Sequence, residues 1–229
     1  MRFFLEKRVN TSPWGRAIVL SASMMLVLFI SLFFFVAVGI EPFAAYNTIG
    51  EEVFMTAYGW QDLLVKMTPL MLTGLAVAVA AQMRLWNIGA EGQFHMGTFA
   101  LTWFALQFDG KIPGGMLIIS MFLMAMIGGG LWGSIPGFLK ARFGVNEIIT
   151  SLLLNYVAVA WLDHLLFGDW RDPNTNNFPI TKEFSEAAQL PTFGNTPVHA
   201  GIILAIVFVL ITAWILWKTR LGLQIRLSG

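Results

Sequence analysis

"AIVLSASMMLVLFISLFFFVAVGI", residues 17–40, is a run of 24 residues without an Asp, Glu, Lys or Arg. A secretory h-region holds about 7–15 apolar residues, so this run is too long for one and reads as a retained membrane helix, even though the basic leader MRFFLEKRVNTSPWGR precedes it. Five more uncharged runs follow, at 67–83, 92–108, 112–139, 148–162 and 198–217. Most approach the roughly 20 residues that cross a hydrocarbon core of about 30 Å. A spanning barrel would show about ten-residue segments of alternating polarity, which are absent here. The expected fold class is therefore an all-α polytopic membrane protein of about six transmembrane helices. Composition agrees: 57% of the 229 residues are hydrophobic and 12% charged, with a mean hydropathy of +0.71. One water-soluble core does not hide that much apolar surface.

Charge fixes an expected orientation. The arm 1–16 carries Arg2, Lys7, Arg8 and Arg16 against Glu6, whereas the next connection carries Glu41, Glu51, Glu52 and Asp62 with no basic residue. The positive-inside rule puts the arm in the cytoplasm. Alternation then places Arg84, Lys140, Arg142, Lys218, Arg220 and Arg226 on the same side and the segment 168–197 outside, an N-in/C-in topology. Lys66, near the outer end of its run, is expected to snorkel to the interface. The connection 41–62 is partly apolar, and its pattern leaves helix and loop both open.

Between the runs lie features that apolar burial does not explain. In "LWNIGAEGQFHMG", residues 85–97, Gly89 and Gly92 weaken a helix while Asn87 and Gln93 supply groups that satisfy a freed backbone. A plain cytoplasmic turn with Glu91 solvated near Arg84 and a broken helix at 87–93 lining a cavity both fit. In "GVNEIITSLLLNY", Asn146 is an expected N-cap and Glu147 suits the first helical turn. Ser151 and Asn155 follow Glu147 at four-residue intervals and share a face, open to interhelical bonding or to solute contact. Ala125, Gly129, Gly133 and Gly137 form a small-residue stripe that admits a neighbouring helix, and Pro136 is expected to kink or end its own helix. Within 168–197, four prolines oppose one continuous helix, and a short helix within 181–190 capped by Thr181 is expected.

Some chemistry is missing. There is no cysteine, the histidines at 95, 164 and 199 lie on separate segments, and no nucleophile elbow or Gly-rich phosphate loop occurs. Neither an enzyme, a cofactor, a metal site nor a nucleic-acid partner is expected.

"WNIGAEGQ", "ARFGVNEIITSLLLNYVA", "GDWRDP" and the terminal "TRLGLQIRLSG" together resemble permease subunits of bacterial ATP-binding-cassette (ABC) importers, in the branch that takes up nucleosides and simple sugars of the ribose type. The resemblance covers roughly residues 60–229, and its tail departs from an Arg-Ala-x-Gly pattern at "RLSG". It implies one permease domain over 1–229 in the cytoplasmic (inner) membrane, in contact with lipid. The implied partners are a separate ATPase subunit, a second permease in a homo- or heterodimer, and a substrate-binding lipoprotein. A substrate pathway beside Asn87, Glu91, Gln93 and Asn155 follows from it, as does ATPase coupling through Leu221, Gly222, Arg226 and Gly229. The loop 168–197 is expected to receive the binding protein through Trp170, Arg171 and Asp172, with Phe178 as an apolar anchor. Family members continue past the position of Gly229, so the chain is expected to be the first part of a permease, from a truncated gene or an expressed fragment. A membrane scaffold without a pathway, or a secondary transporter, is the alternative.

Overall fold

The structure, a computed structural model, describes residues 12–176 and 178–229. Arg2, Glu6, Lys7 and Arg8 of the basic arm lie outside the described residues. Eight α-helices appear among the described residues: α1 (Pro13–Ala37), α2 (Pro42–Gly50), α3 (Ala57–Gln82), α4 (Ala90–Phe108), α5 (Gly114–Phe143), α6 (Glu147–Phe167), α7 (Gly201–Lys218) and α8 (Arg220–Ser228). No strand occurs among these residues, only an isolated antiparallel bridge between Thr192 and His199. The chain divides into two compact units, residues 1–60 and 61–229.

In the first unit, the Ser12 side chain caps α1 and Pro13 occupies its first turn, where a missing N–H costs nothing. No residue of α1 is buried, as a helix facing lipid requires. The connection left open by the sequence is helical: α2 leads into a π-helical turn at Glu51–Met55. Tyr46 fastens α2 to α1, its hydroxyl bonding Ser31 and donating to the Leu28 carbonyl at 2.8 Å while its ring meets Phe35 edge-on.

The second unit is built around α4. All six uncharged runs fold as helices, and five helices (α1, α3, α5, α6 and α7) are long and apolar enough to cross a membrane. The helix over 92–108 is not among those five. Its first turns carry Glu91, Gln93 and His95, and its buried residues Ala90, Gly92, Gly97, Ala100, Thr102 and Ala105 are small, which suits packing against protein rather than lipid. The α5 stripe supplies the opposite surface. A Cβ added at Gly97 would stand 3.1 Å from the Ala125 carbonyl, and one at Gly129 would stand 2.9 Å from the Gln93 carbonyl. Helix α5 runs through Pro136 to Phe143 rather than ending there, and closes on Gly144 in the left-handed region at φ 68°.

The outer segment corrects one expectation. Residues 181–190 hold a single 3₁₀ turn at Glu186–Ala188, and Thr181 caps no helix. The backbone N–H and hydroxyl of Ser185 donate to the two carboxylate oxygens of Asp109, at 2.8 and 2.6 Å, which fixes the segment against the α4–α5 connection. Ala188 is buried beside Ala105, Leu117 and Met121, with Phe184 packed alongside. Tertiary contacts outweigh the weak local helix signal here. Lys66 pairs with Asp62 one helical turn away at 2.8 Å.

Candidate functional site

The connection between α3 and α4 decides what the polar stretch does. Arg84 adopts a left-handed conformation (φ 52°) and turns the chain out of α3. Residues 83–89 are not helical, and α4 starts at Ala90 with Gly89 as N-cap. The stretch is thus a turn followed by a helix start, and residues 90–93 form the first turn of α4. Gly89 has no side chain with which to cap, so the N-terminal N–H groups need another acceptor. Asn155 of α6 provides it: its Oδ1 accepts from Gly92 N–H and its Nδ2 donates to the Ile88 carbonyl, both at 2.8 Å. Asn155 is 7% exposed, so of the two roles open to it interhelical bonding is the one observed. The fit depends on glycine, since a Cβ at position 92 would lie 2.7 Å from Asn155 Oδ1 and one at 89 would lie 2.9 Å from Ser151 Cβ.

Asn87 and Gln93 form a reciprocal amide pair. Gln93 Nε2 donates to Asn87 Oδ1 at 3.0 Å, Asn87 Nδ2 donates to Gln93 Oε1 at 3.3 Å, and Gly89 N–H adds a third bond to Asn87 Oδ1. Gly133 makes room for the Gln93 side chain, whose Cδ and Nε2 would stand 3.0 Å from an added Cβ. The pair lines a cleft of about 310 Å³ together with Met83, Trp86, Pro136, Gly137, Lys140, Glu147 and Ser151. The ionised side chains on its wall, Lys140 and Glu147, are bonded to each other. After the bonds within the pair, each amide keeps a donor hydrogen and Gln93 Oε1 keeps a lone pair. The wall therefore offers an uncharged solute two donor hydrogens and one acceptor beside a largely apolar lining.

The four residues expected on a pathway separate. Asn87 and Gln93 line the cleft and Asn155 braces it from behind. Glu91 does not join them: its side chain is 69% exposed, and His95 stands 3.9 Å away. The Lys140–Glu147 pair went unnoticed in the sequence, although a basic residue in the last turn of one helix and an acidic one in the first turn of the next, across a Gly-Val-Asn reversal, is a legible signal. Asn146 caps α6 as expected, accepting from Ile148 and Ile149 N–H.

Two further surfaces carry expected residues. In α8, Thr219 caps Gly222 N–H and Arg226 lies over the Trp217 ring at 4.9 Å, while Leu221 and Leu227 are exposed. A Cβ at Gly222 would meet the Ile215 carbonyl at 2.2 Å, and one at Gly229 would meet the Gln82 carbonyl at 2.4 Å. In the outer loop, Trp170 stacks on Phe99 of α4 at 5.4 Å and 10°, and Asp172 accepts from Asn174. Arg171 is exposed, and Phe178 is 67% exposed.

Residues 60–229 match the family described as branched-chain amino acid transport system / permease component. The chain belongs to that family. Among similar proteins, the glucose ABC transporter permease protein TsgB13 of Haloferax volcanii is 40% identical over 205 residues, which cover 85% of this chain and 53% of that protein. The guanosine ABC transporter permease protein NupP of Bacillus subtilis is 32% identical, covering 83% of this chain and 55% of that protein. The nucleoside ABC transporter permease protein NupB of Lactococcus lactis subsp. cremoris is 33% identical, with coverages of 84% and 55%. The chain spans about half the length of these curated relatives. No solved structure matches it. As a member of this permease family with five apolar helices of spanning length, it is a multi-pass membrane protein.

Proposed function

We propose that the chain forms the pathway-bearing part of a permease subunit in an ABC importer, moving nucleosides or simple sugars inward across the cytoplasmic membrane. The observation that carries this reading is the cleft walled by the Asn87–Gln93 amide pair and by a mutually neutralised ion pair. Family membership and the glucose, guanosine and nucleoside names of the relatives support it. ATP hydrolysis belongs to a separate ATPase subunit, which the α8 surface at Leu221, Gly222, Arg226 and Gly229 meets. A second permease completes the pathway, and a binding lipoprotein delivers solute to the 168–197 loop through Arg171 and its neighbours. The basic ends at Arg84, Lys140–Arg142 and Lys218–Arg226 face the cytoplasm.

Uptake of labelled nucleoside and glucose tests this in membranes carrying a permease of the relatives' length together with its ATPase and binding protein. Uptake is expected to require ATP and to fall about tenfold on Asn87→Leu, the loss of one hydrogen bond to solute. Uptake by the permease alone, driven by an ion gradient, overturns the reading in favour of a secondary transporter.

A further inference from the structure

The two walls of the cleft are held in different ways. On the α4 side, Asn155 fastens the turn and the helix start through one buried and one part-buried hydrogen bond. The facing wall is the last part of α5, where Pro136 is buried and residues 137, 138 and 140–143 are exposed. Pro136 has no N–H to give the Trp132 carbonyl one turn earlier, and a Cβ at Gly137 would meet nothing within 4 Å. Proline followed by an uncontacted glycine is where a helix bends most easily. Beyond them, the end of α5 is held to α6 by the hydrogen-bonded ion pair of Lys140 and Glu147. The Glu147 side chain is 13% exposed and that of Lys140 is 43% exposed, so the bond lies partly out of water.

We propose that Lys140 and Glu147 are the inner latch of this cleft, with Pro136 and Gly137 as its hinge. Parting the two charges releases residues 137–143 to swing away from Asn87 and Gln93 and opens the cleft to the cytoplasm. Re-forming the bond closes it. The inference rests on the reading of the cleft as a solute pathway, and it adds the residues that control access from inside. A bond that only stapled the α5–α6 turn would matter for folding and leave access to the cleft unchanged.

The chain contains no cysteine, so a single thiol reports access. Ser151 lines the cleft and is 1% exposed, and Ser151→Cys is the smallest change that places a thiol there. Inside-out vesicles carrying the whole chain are treated with a membrane-impermeant maleimide, and the labelling rate at position 151 is read. Glu147→Gln is expected to speed labelling about tenfold or more, equivalent to ~1.4 kcal/mol of opening free energy. The exchange Lys140→Glu with Glu147→Lys is expected to restore the slow rate. Ala105→Cys, at 0% exposure and away from the cleft, serves as the control and should stay slow throughout. Equal rates with and without Glu147→Gln overturn the latch, as does an increase shared by position 105, which marks a folding staple. If solute fails to shield Ser151→Cys while Glu147→Gln still accelerates it, the pathway reading falls and the latch stands.

Discussion

Asn155 shows how a single side chain redirects the meaning of a motif. A polar residue in an apolar helix invites a transport role, yet here both ends of its carboxamide are committed to the backbone of another helix. Asn155→Leu should therefore leave Gly92 N–H and the Ile88 carbonyl unpaired in a buried place, at a cost of about 2 kcal/mol or more. A lowered Tm of the purified chain is the expected result. Gly92→Ala should act in the same direction, because its methyl would stand 2.7 Å from Asn155 Oδ1. Gly130→Ala is the opposite control: nothing lies within 4 Å of its Cβ, so the gain in helix propensity, up to about 1 kcal/mol, should appear as a small rise in Tm. The sequence left interhelical bonding open for Asn155 but did not name its partners. Residues 88 and 92 each lie more than sixty positions from 155, and hydrogen bonds between helices leave no periodic trace.

At the scale of elements, the helices were legible because lipid imposes one rule on all of them: long uncharged runs with internally satisfied backbone. The outer segment obeys no such rule. Its short helix failed to form because Ser185 is engaged by Asp109, a contact across 76 positions. Hydrogen bonds from the Ser185 hydroxyl and backbone, with Lys182 nearby, hold the Asp109 carboxyl below its usual pKa. A carboxyl with a lowered folded-state pKa contributes stability above its unfolded value, near 4, and loses it as pH falls through the folded value. Asp109→Asn should thus increase proteolysis within 168–197 at pH 7, and the difference from the native chain should vanish as pH falls through the folded-state pKa of Asp109. A difference that persists below that pKa would mean that the carboxylate charge is not what holds the loop. A contact of the same long-range kind holds Trp170, which stacks on Phe99 of another helix. Phe178 and Arg171 are left as the more accessible of the expected docking residues.

Across the whole molecule, the arrangement of charge makes a topological prediction independent of transport. Cysteines introduced singly at Arg84 and Leu227 should react with an impermeant thiol reagent in inside-out vesicles, and one at Phe178 only in right-side-out vesicles. The reverse pattern would invert the assignment of every surface. The placement of α4 bears on how such a protein is made. Helices emerge from the ribosome in order, and each is offered to the bilayer before its later neighbours exist. For α1 or α3 that poses no difficulty, because each is apolar enough to remain in lipid unaided. Helix α4, with Gln93, His95 and Thr102 along it, is a poor candidate for release on its own, and the residues that cover it belong to α5 and α6, which have yet to be synthesised. Biogenesis should therefore hold α4 at the insertion machinery until α5 follows, and the pair should enter the membrane as a hairpin.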